Sequence, residues 1–323
     1  MEAAERAVLS PVALTRKLLS GTADVVAVTG ATGWFGRTTL ELLFGALGDA
    51  AATQVLAFGS RPGRVELSTG HTMAVRPLHE LPAVQPSPTI VLHYACLTRD
   101  REAELGTAAY LQSNLDITTT MLRGLEAHSP RLVVATSSGA AAHYGGSSGL
   151  DLENNAYGTL KRLDELAFAK LADQLGAGYA IPRVYSVAGP WMTKPGLYAL
   201  GSMIAMAQAG GPISINAGRP VWRSYCGVAE VVALSLWMAG GRANTVFDTG
   251  GQVVEMADLA AAVARTVGAG CGISRPEFDP EAAPDRYVGD PAVFQQAAHT
   301  AGMRVASLDE LVTSTAAGFG IIR

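Results

Sequence analysis

The sequence Thr29-Gly30-Ala31-Thr32-Gly33-Trp34-Phe35-Gly36 decides the fold of this chain. It follows a short β-branched run, 24–29, that is typical of a strand buried on both faces. Residues 40–47 carry apolar side chains three and four apart, as one face of a helix does. Between a strand and a helix, such glycines let the backbone approach a pyrophosphate, and the helix N-terminus offers free N–H groups to it. The turn therefore predicts a dinucleotide site, with contacts from Gly30, Thr32, Gly33, Trp34, Phe35 and Gly36.

Strands and helices alternate downstream of this turn. Apolar, β-branched runs at 54–58, 89–97 and 131–136 predict further strands, separated by enough chain for crossover helices. Residues 156–175 predict a long helix, and Gly176 is a suitable C-terminal stop for it. This alternation is typical of α/β proteins, so we expect a doubly wound parallel sheet of the Rossmann type.

The regular alternation ends near Gly189-Pro190, and loops, glycines and shorter helices follow. We interpret this part as a smaller C-terminal lobe that covers the carboxyl edge of the sheet and binds the substrate. The predicted division is a lead-in at 1–23, a dinucleotide-binding domain at 24–186 to which 222–250 returns, and a substrate-binding lobe at 187–221 and 251–323.

The composition excludes several classes of protein. Hydrophobic residues make up 49% of the 323 residues and charged residues 16%, which is unlike a disordered chain and ample for a buried core. A net charge of −4 without a run of Lys or Arg argues against nucleic acid or an anionic membrane as a partner.

Cysteine usage and the N-terminus bear on the compartment. The three cysteines lie far apart and form neither a disulfide framework nor a metal-ligand pattern, so we expect a reducing cytoplasm and no metal. The N-terminus has no apolar signal region. The uncharged stretch 195–218 is interrupted by glycine and proline, so we interpret it as a buried helix and a turn rather than a membrane span.

The end of the second predicted strand bears on the choice of cofactor. An acidic residue there would hydrogen-bond the ribose 2′-hydroxyl of NAD, but the sequence is Phe58-Gly59-Ser60-Arg61. Arg61 can clamp a 2′-phosphate, Ser60 can add a hydrogen bond, and Arg37 can add charge. We therefore expect NADP, with NAD as the alternative. If Arg61 is only a solvated loop residue, this preference disappears.

A tyrosine and a lysine four residues apart point to acid–base chemistry. Tyr157 and Lys161 share one face of the predicted long helix. A nearby ammonium lowers the pKa of a tyrosine from about 10, so that it transfers protons to or from a carbonyl or hydroxyl oxygen. Ser137 and Ser138 end the preceding predicted strand, where a serine faces the ligand crevice. We expect Tyr157, Lys161 and one of these two serines to be catalytic.

These motifs, in this order, resemble those of the extended short-chain dehydrogenases/reductases. That group includes nucleotide-sugar epimerases, dehydratases and 4-ketoreductases, and the resemblance covers roughly residues 25–315. Further segments that match its landmarks are His93-Tyr94-Ala95-Cys96, Asn114 with Thr118, Pro182 to Pro190, and Phe247-Asp248-Thr249-Gly250.

The resemblance implies roles for the catalytic residues. Tyr157 would be the acid/base, and Lys161 would bind the nicotinamide ribose and tune Tyr157. Ser138 would polarise the substrate oxygen, with Ser137 as the alternative. Asn114 would hold a structural water or support Lys161.

The resemblance also implies how the cofactor is lined. The backbone at Ala95 and Cys96 would line it, and the turn 184–187, which includes Tyr185, would cover the nicotinamide. We interpret Cys96 as core filling rather than as a reactive thiol, and His93 as a structural histidine rather than a base.

For the substrate, the resemblance implies a nucleotide diphosphate. Arg223 stands where an arginine of the nucleotide-sugar members contacts the diphosphate, and Ser186 where an asparagine contacts the first phosphate. Other positions depart from the family, since Ser224 replaces an aspartate. The alternative is a structural Arg223 that pairs with an acid such as Glu230.

The residues after the serine pair bear on the reaction. Dehydratases of this family have an acidic pair there, whereas this chain has Gly139 and Ala140, which cannot transfer a proton. We therefore expect an NADP-dependent enzyme that reduces a keto group, at C4, of a nucleotide-activated sugar. The alternatives are an epimerase with retained NAD(P), a reductase of a non-nucleotide carbonyl compound, and a non-catalytic NADP-binding protein. The helix that carries Tyr157 packs on its twin in this family, which implies a homodimer.

Overall fold

The computed structural model describes residues 8–143, 150–268 and 270–320. The helices are α1 Pro11–Leu19, α2 Trp34–Leu47, α3 Ala51–Gln54, α4 Asp100–Leu105, α5 Thr107–His128, α6 Ala140–His143, α7 Ala156–Leu175, α8 Ala199–Gln208, α9 Val228–Gly240, α10 Met256–Thr266, α11 Ala292–Ala301 and α12 Leu308–Gly318. The strands are β1 Val26–Thr29, β2 Val55–Gly59, β3 Gly63–Glu66, β4 Thr72–Pro77, β5 Ile90–His93, β6 Leu132–Ala135, β7 Ser137–Ser138, β8 Gly178–Val184, β9 Ser186–Ala188, β10 Ile213–Ser214, β11 Val221–Gly227, β12 Thr245–Asp248, β13 Gln252–Glu255, β14 Ile273–Ser274 and β15 Asp285–Tyr287.

In the described chain, the main sheet has nine strands. Their order is β12-β8-β6-β5-β1-β2-β4-β3, with β7 paired beside β8. The strands are parallel except that β3 runs antiparallel to β4. The direction of the strand order reverses at β1, where Val26 pairs with Val55 on one side and Ile90 on the other. The predicted doubly wound sheet is confirmed, and a ligand crevice is expected at the carboxyl ends of the strands beside this point.

Helices cover both faces of the sheet, which explains why its central strands are apolar at every position. All side chains of β1, β5 and β6 are buried. Val26 and Val28 pack in the apolar cluster that includes α2 and α9, whereas Ala27 packs in the cluster with α5 and α7. The core therefore lies on both sides of the sheet.

The helix α1 ties the chain before β1 to this body. It packs on α2 and α9 and buries Leu14 and Leu19. Arg16 donates hydrogen bonds to the carbonyls of Gly45 and Ala46 at 2.7 and 3.2 Å. Residues 1–7 of the predicted lead-in and 321–323 of the predicted lobe lie outside the described residues.

A second, smaller sheet lies in the C-terminal part of the chain. Its order is β13-β11-β15, with β9 beside β11. The segment 221–227 therefore belongs to the second sheet, while α9 and β12 return to the main one. The predicted domain limits at residues 186 and 222 remain a prediction. The uncharged stretch contains α8, and none of the described helices is long and apolar enough to cross a membrane.

Candidate active site

The turn between β1 and α2 requires glycine because the backbone is crowded there. Gly30 has a φ of +66°, and a Cβ on it would lie 2.8 Å from the nitrogen of Ala95. A Cβ on Gly36 would lie 2.2 Å from the carbonyl oxygen of Gly30. Gly33 precedes α2 without a side-chain cap, so the first N–H groups of the helix are left for a ligand. This backbone cradle fits a dinucleotide pyrophosphate.

A cavity of about 760 Å³ opens in front of this turn, at the carboxyl edge of the sheet, and its volume is typical of ligand sites. The predicted site residues that line it are Gly30, Gly33, Trp34, Phe35, Gly36, Cys96, Ser138, Tyr157, Lys161 and Tyr185. The predicted site residues outside its lining are Thr32, Ser60, Arg61, Ala95, Asn114, Ser186 and Arg223. The structure thus brings the glycine turn and the three predicted catalytic residues to one cavity.

The first turns of α7 place Tyr157 and Lys161 against the cavity. Asn155 caps the helix, since its Oδ1 accepts a hydrogen bond from the N–H of Gly158 at 3.0 Å. Its Nδ2 donates to the carbonyl oxygen of Ala140 at 2.9 Å. One side chain therefore fixes the start of α7 relative to the segment that follows the serine pair.

Burial and neighbouring charges determine the proton affinity of this pair. Lys161 is 4% exposed. Burial acts to lower its pKa, but the charges of Cys96, Asp164 and Tyr157 act to raise it, and the pKa lies above its ordinary value. Burial, followed by the charge of Cys96, raises the pKa of Tyr157, while Lys161 and the hydrogen-bonding Ser138 hydroxyl oppose the rise. The phenol is therefore protonated near neutral pH.

The two serines of β7 have different surroundings. The Oγ of Ser137 donates to Oε1 of Glu165 at 2.6 Å. The Oγ of Ser138 accepts from the N–H of Ala140 at 3.2 Å and lies 3.5 Å from the hydroxyl of Tyr287. Because the hydroxyl hydrogen of Ser137 is committed to Glu165, Ser138 is the serine with a hydroxyl suited to a substrate oxygen.

Glu165 is the centre of an ionic cluster behind the serine pair. Its side chain is fully buried, and Arg183 donates to both of its oxygens at 2.7 and 2.9 Å. Arg162 donates to Oε2 at 2.6 Å. Burial acts to raise the pKa of Glu165, but the hydrogen bonds from Arg183, Ser137 and Arg162 hold it below its ordinary value. The cluster joins α7, β7 and β8 directly behind the cavity.

Tyr287, which was not among the predicted site residues, also lines the cavity. It lies on β15, and its ring centroid is 4.7 Å from that of Tyr185. A Cβ on Gly139 would lie 2.7 Å from the Tyr287 hydroxyl and 2.7 Å from the Tyr185 ring. Gly139 is therefore needed to admit these two rings, which explains the glycine at a position that is acidic in dehydratases of the family. Only the pairing of β15 with β11 brings Tyr287 there, so no local pattern could reveal it.

The two residues predicted to bind the substrate phosphates, Arg223 and Ser186, lie in the second sheet. Arg223 donates to both carboxylate oxygens of Asp285, at 3.1 and 3.2 Å. The alternative of an Arg223 that pairs with an acid agrees with this contact, but the acid is Asp285 and not the suggested Glu230, which accepts from the N–H groups of Gly227 and Ala306. Ser186 lies on β9. Neither Arg223 nor Ser186 reaches the lining of the cavity.

The residues at the end of β2 lie beside the glycine turn. The N–H of Ala31 donates to the carbonyl oxygen of Phe58 at 3.0 Å. Ser60 and Arg61, which follow β2, are exposed. Arg37 is engaged elsewhere, because it donates to the carbonyl oxygen of Glu66 at 2.7 Å and its guanidinium lies 3.8 Å from the ring centroid of Trp191.

Two further predicted residues have structural contacts. Asn114 accepts from the N–H of Leu97 at 2.9 Å and donates to the carbonyl oxygen of Tyr110 at 3.1 Å, so it supports the backbone after β5 rather than Lys161. His93 is buried and its Nδ1 lies 2.7 Å from the Thr29 hydroxyl. Burial and the charge of Lys161 lower its pKa to about 3, so it is neutral.

The fold and site together define a Rossmann-type protein of the extended short-chain dehydrogenase/reductase class. The chain belongs to the NAD dependent epimerase/dehydratase family, whose model matches residues 26–250. A search of curated proteins returned no match. Within the described ranges, no group of three or more His, Cys, Asp or Glu side chains could hold a metal ion.

Solved structures share this fold over nearly the whole chain. The UDP-N-acetylglucosamine 4-epimerase of Methanobrevibacter ruminantium is 17% identical, with a TM-score of 0.70, covering 92% of this chain and 98% of its own. The UDP-glucose 4-epimerase of Brucella ovis, in complex with NAD, is 18% identical, with a TM-score of 0.70 and coverage of 93% and 99%. The dTDP-glucose 4,6-dehydratase of Streptomyces venezuelae, with NAD bound, is 20% identical, with a TM-score of 0.68 and coverage of 91% and 96%.

Proposed function

We propose that this protein is an NADP-dependent oxidoreductase that reduces a keto group, at C4, of a nucleotide-activated sugar. The observation that carries the proposal is the single cavity that brings Ser138, Tyr157 and Lys161 in front of the glycine turn. A dinucleotide cradle beside a hydroxyl, a phenol and an ammonium is a site for hydride transfer coupled to proton transfer.

The residues of the chain divide the work of such a reaction. When bound, the nicotinamide ring supplies the hydride. Ser138 donates a hydrogen bond to the substrate carbonyl oxygen, and Tyr157 gives its proton to the same oxygen as negative charge develops there. Burial raises the pKa of Tyr157, so the phenol carries the proton that it gives to the substrate. Lys161 holds the nicotinamide ribose and stabilises the phenolate that remains.

The preference for NADP is supported by the end of β2. Ser60 and Arg61 are exposed there, and no acidic residue occurs between Phe58 and Arg61 to bind a ribose 2′-hydroxyl. A guanidinium suits a 2′-phosphate. The relatives from Brucella ovis and Streptomyces venezuelae are described with NAD, so NAD is the alternative.

Gly139 supports reduction rather than dehydration. An acid at this position would clash with Tyr185 and Tyr287, since even a Cβ would lie 2.7 Å from both. An epimerase is the second candidate, because two relatives of the same fold are 4-epimerases.

The nucleotide sugar is proposed as the substrate by analogy with what those relatives are described to act on or bind. Arg223 is bound to Asp285, which argues against a direct contact with a diphosphate. The cations that line the cavity among the described residues are Arg99 and Lys161, and Arg99 is exposed. We therefore infer that Arg99 supplies the charge for a phosphate. A carbonyl compound without a nucleotide remains the alternative substrate.

A homodimer through α5 and α7 is also proposed. These helices pack together, and each exposes large apolar side chains: Leu115 at 44%, Leu163 at 40% and Leu166 at 51%. Burial of these leucines against the same helices of a second copy would remove apolar surface from water.

The decisive experiment first identifies the cofactor and then tests whether the protein turns over a substrate. The protein is denatured, any released nucleotide is identified by mass, and the cofactor-free chain is titrated with NADPH and NADH. Nucleotide 4-ketosugars are then screened for NADPH oxidation, with Tyr157→Phe as the control. We expect exchangeable NADPH, preferred over NADH, and turnover that the variant loses. Stoichiometric NAD retained through purification would instead indicate an epimerase, and cofactor binding without any turnover would indicate a binding protein.

A further inference from the structure

Asp164 is an acidic residue beside Lys161 that the proposed mechanism does not use. It lies on α7, and its side chain is only 14% exposed. Its Oδ2 accepts from the Nζ of Lys161 at 3.4 Å, and its Oδ1 accepts from the Thr118 hydroxyl, on α5, at 2.7 Å. The carboxylate therefore bridges two helices and faces the ammonium.

The adjacent acid, Glu165, cannot take this place. Both of its oxygens are bound by Arg183, and one of them also by Arg162, so its charge is already compensated. The Lys161 ammonium also donates to the carbonyl oxygen of Thr136 at 3.3 Å. Among the described residues, Asp164 is the carboxylate that forms an ion pair with Lys161.

We propose that Asp164 is a positioning residue, which holds the Lys161 ammonium at the cavity and keeps the Tyr157–Lys161 pair protonated by its negative charge. The inference rests on the proposed role of Tyr157 as the acid. Two interacting groups titrate as one pair, and a nearby negative charge raises the pH at which the pair loses its first proton. The pair is then held in the form that donates a proton to a developing alkoxide. A reaction that begins by oxidising a hydroxyl needs the deprotonated form, so Asp164 favours reduction.

Other groups face the pair from the surrounding elements: Cys96 and His93 at the end of β5, Tyr110 on α5, Ser138 on β7 and Tyr287 on β15. Burial lowers the pKa of His93 to about 3 and raises that of Tyr110 to about 12, so both are neutral at working pH. All of these groups stay in place when Asp164 is replaced, so they cancel in the comparison of the variant with the native protein.

The test compares Asp164→Asn with Thr118→Val. The first removes the charge and keeps the shape of the side chain. The second removes a hydrogen bond from the same carboxylate and keeps its charge. For each variant, the phenolate absorbance of Tyr157 is titrated in the presence of oxidised cofactor, as the difference from the same protein carrying Tyr157→Phe. The pH profile of kcat/KM and the Tm are measured alongside.

We expect Asp164→Asn to move the titration midpoint, and the matching limb of the pH profile, about one unit toward acid. At a fixed pH below the midpoint this is about a tenfold rise in the deprotonated pair. Thr118→Val should move the midpoint by less than half as much, although it weakens the α5–α7 contact. Equal midpoints in the native chain and Asp164→Asn, with similar losses of Tm in both variants, would show a purely structural tie and overturn the proposal.

Failure of the inference about Asp164 can be distinguished from failure of the proposed function. The phenolate titration needs no turnover, so it reports on Asp164 even if the substrate has been assigned wrongly. Conversely, a Tyr157→Phe variant with native turnover would refute the proposed role of Tyr157 whatever the midpoint does.

Discussion

Replacement of Glu165 by glutamine tests the ionic cluster behind the serine pair. The change keeps the shape of the side chain but removes the charge that Arg183 and Arg162 share, while Arg183 keeps a longer ion pair with Asp248 at 3.6 Å. Removal of one partner from a buried ion pair costs about 3–5 kcal/mol of the free energy of unfolding. Arg183 and Arg162 are 21% and 33% exposed, so water screens them in part and we take the lower end. A loss of about 3 kcal/mol corresponds to a decrease in Tm of about 4 °C for a chain of this size.

The assay is thermal unfolding followed by circular dichroism, with Glu80→Gln as the matched control. Glu80 also accepts from an arginine, Arg76, at 2.8 Å, but that pair is about two-fifths exposed on both sides. Such exposed pairs contribute about 0.2–1 kcal/mol, so the control should lose about 1.5 °C or less. Because Ser137 donates to Glu165 and precedes Ser138 on β7, the Glu165→Gln variant should lose activity as well as thermal stability.

The contribution of Glu165 to stability should depend on pH, and its pKa shift gives the direction. The arginines hold the pKa of Glu165 below its ordinary value in the folded chain. A carboxyl of this kind stabilises the fold fully above its unfolded pKa of about 4.3, and the contribution is lost as the pH falls through the folded pKa. The gap in Tm between the native chain and Glu165→Gln should therefore narrow below about pH 4.3. A gap that is independent of pH, or a variant as stable as the native chain, would refute the reasoning.

Three further predictions concern the site and the assembly. Gly139→Ala should lower kcat at least tenfold, since its Cβ would lie 2.7 Å from the Tyr287 hydroxyl. Steady-state kinetics of the variant, after circular dichroism has shown that it is folded, test this, and an unchanged kcat would contradict it. Arg223→Ala should lower Tm, because it removes the two hydrogen bonds that Arg223 donates to Asp285, and should change the substrate KM less than threefold. A large rise in KM without a loss of Tm would indicate that Arg223 binds a substrate phosphate. Leu166→Asp should convert the proposed dimer to a monomer in light scattering, and a mass that does not differ from that of the native chain would place the interface elsewhere.

The features that could be predicted from the sequence are those set by contacts between residues close together in the chain. The β1–α2 turn could be predicted because crowding within a few residues requires its glycines, as the 2.2 Å approach of a Cβ on Gly36 to the Gly30 carbonyl shows. The pairing of Tyr157 with Lys161 on one face of α7 could be predicted because helical spacing alone places them there. The apolar runs of β1, β5 and β6 could be predicted because a strand covered on both faces must be apolar throughout.

The surroundings of these residues depend on contacts that cross the chain. Arg223 meets Asp285 62 residues away because β11 and β15 pair, a contact that its local segment could not predict. Tyr287 reaches Ser138 across 149 residues by the same strand pairing. By itself, then, the sequence determined the strand–helix alternation of the α/β fold, the glycine turn and the placing of Tyr157 with Lys161 on one helix face, since each depends on backbone geometry over a few residues. Only the tertiary structure decided which charges are compensated and which side chains complete the cavity, because strand pairing and burial set those distances.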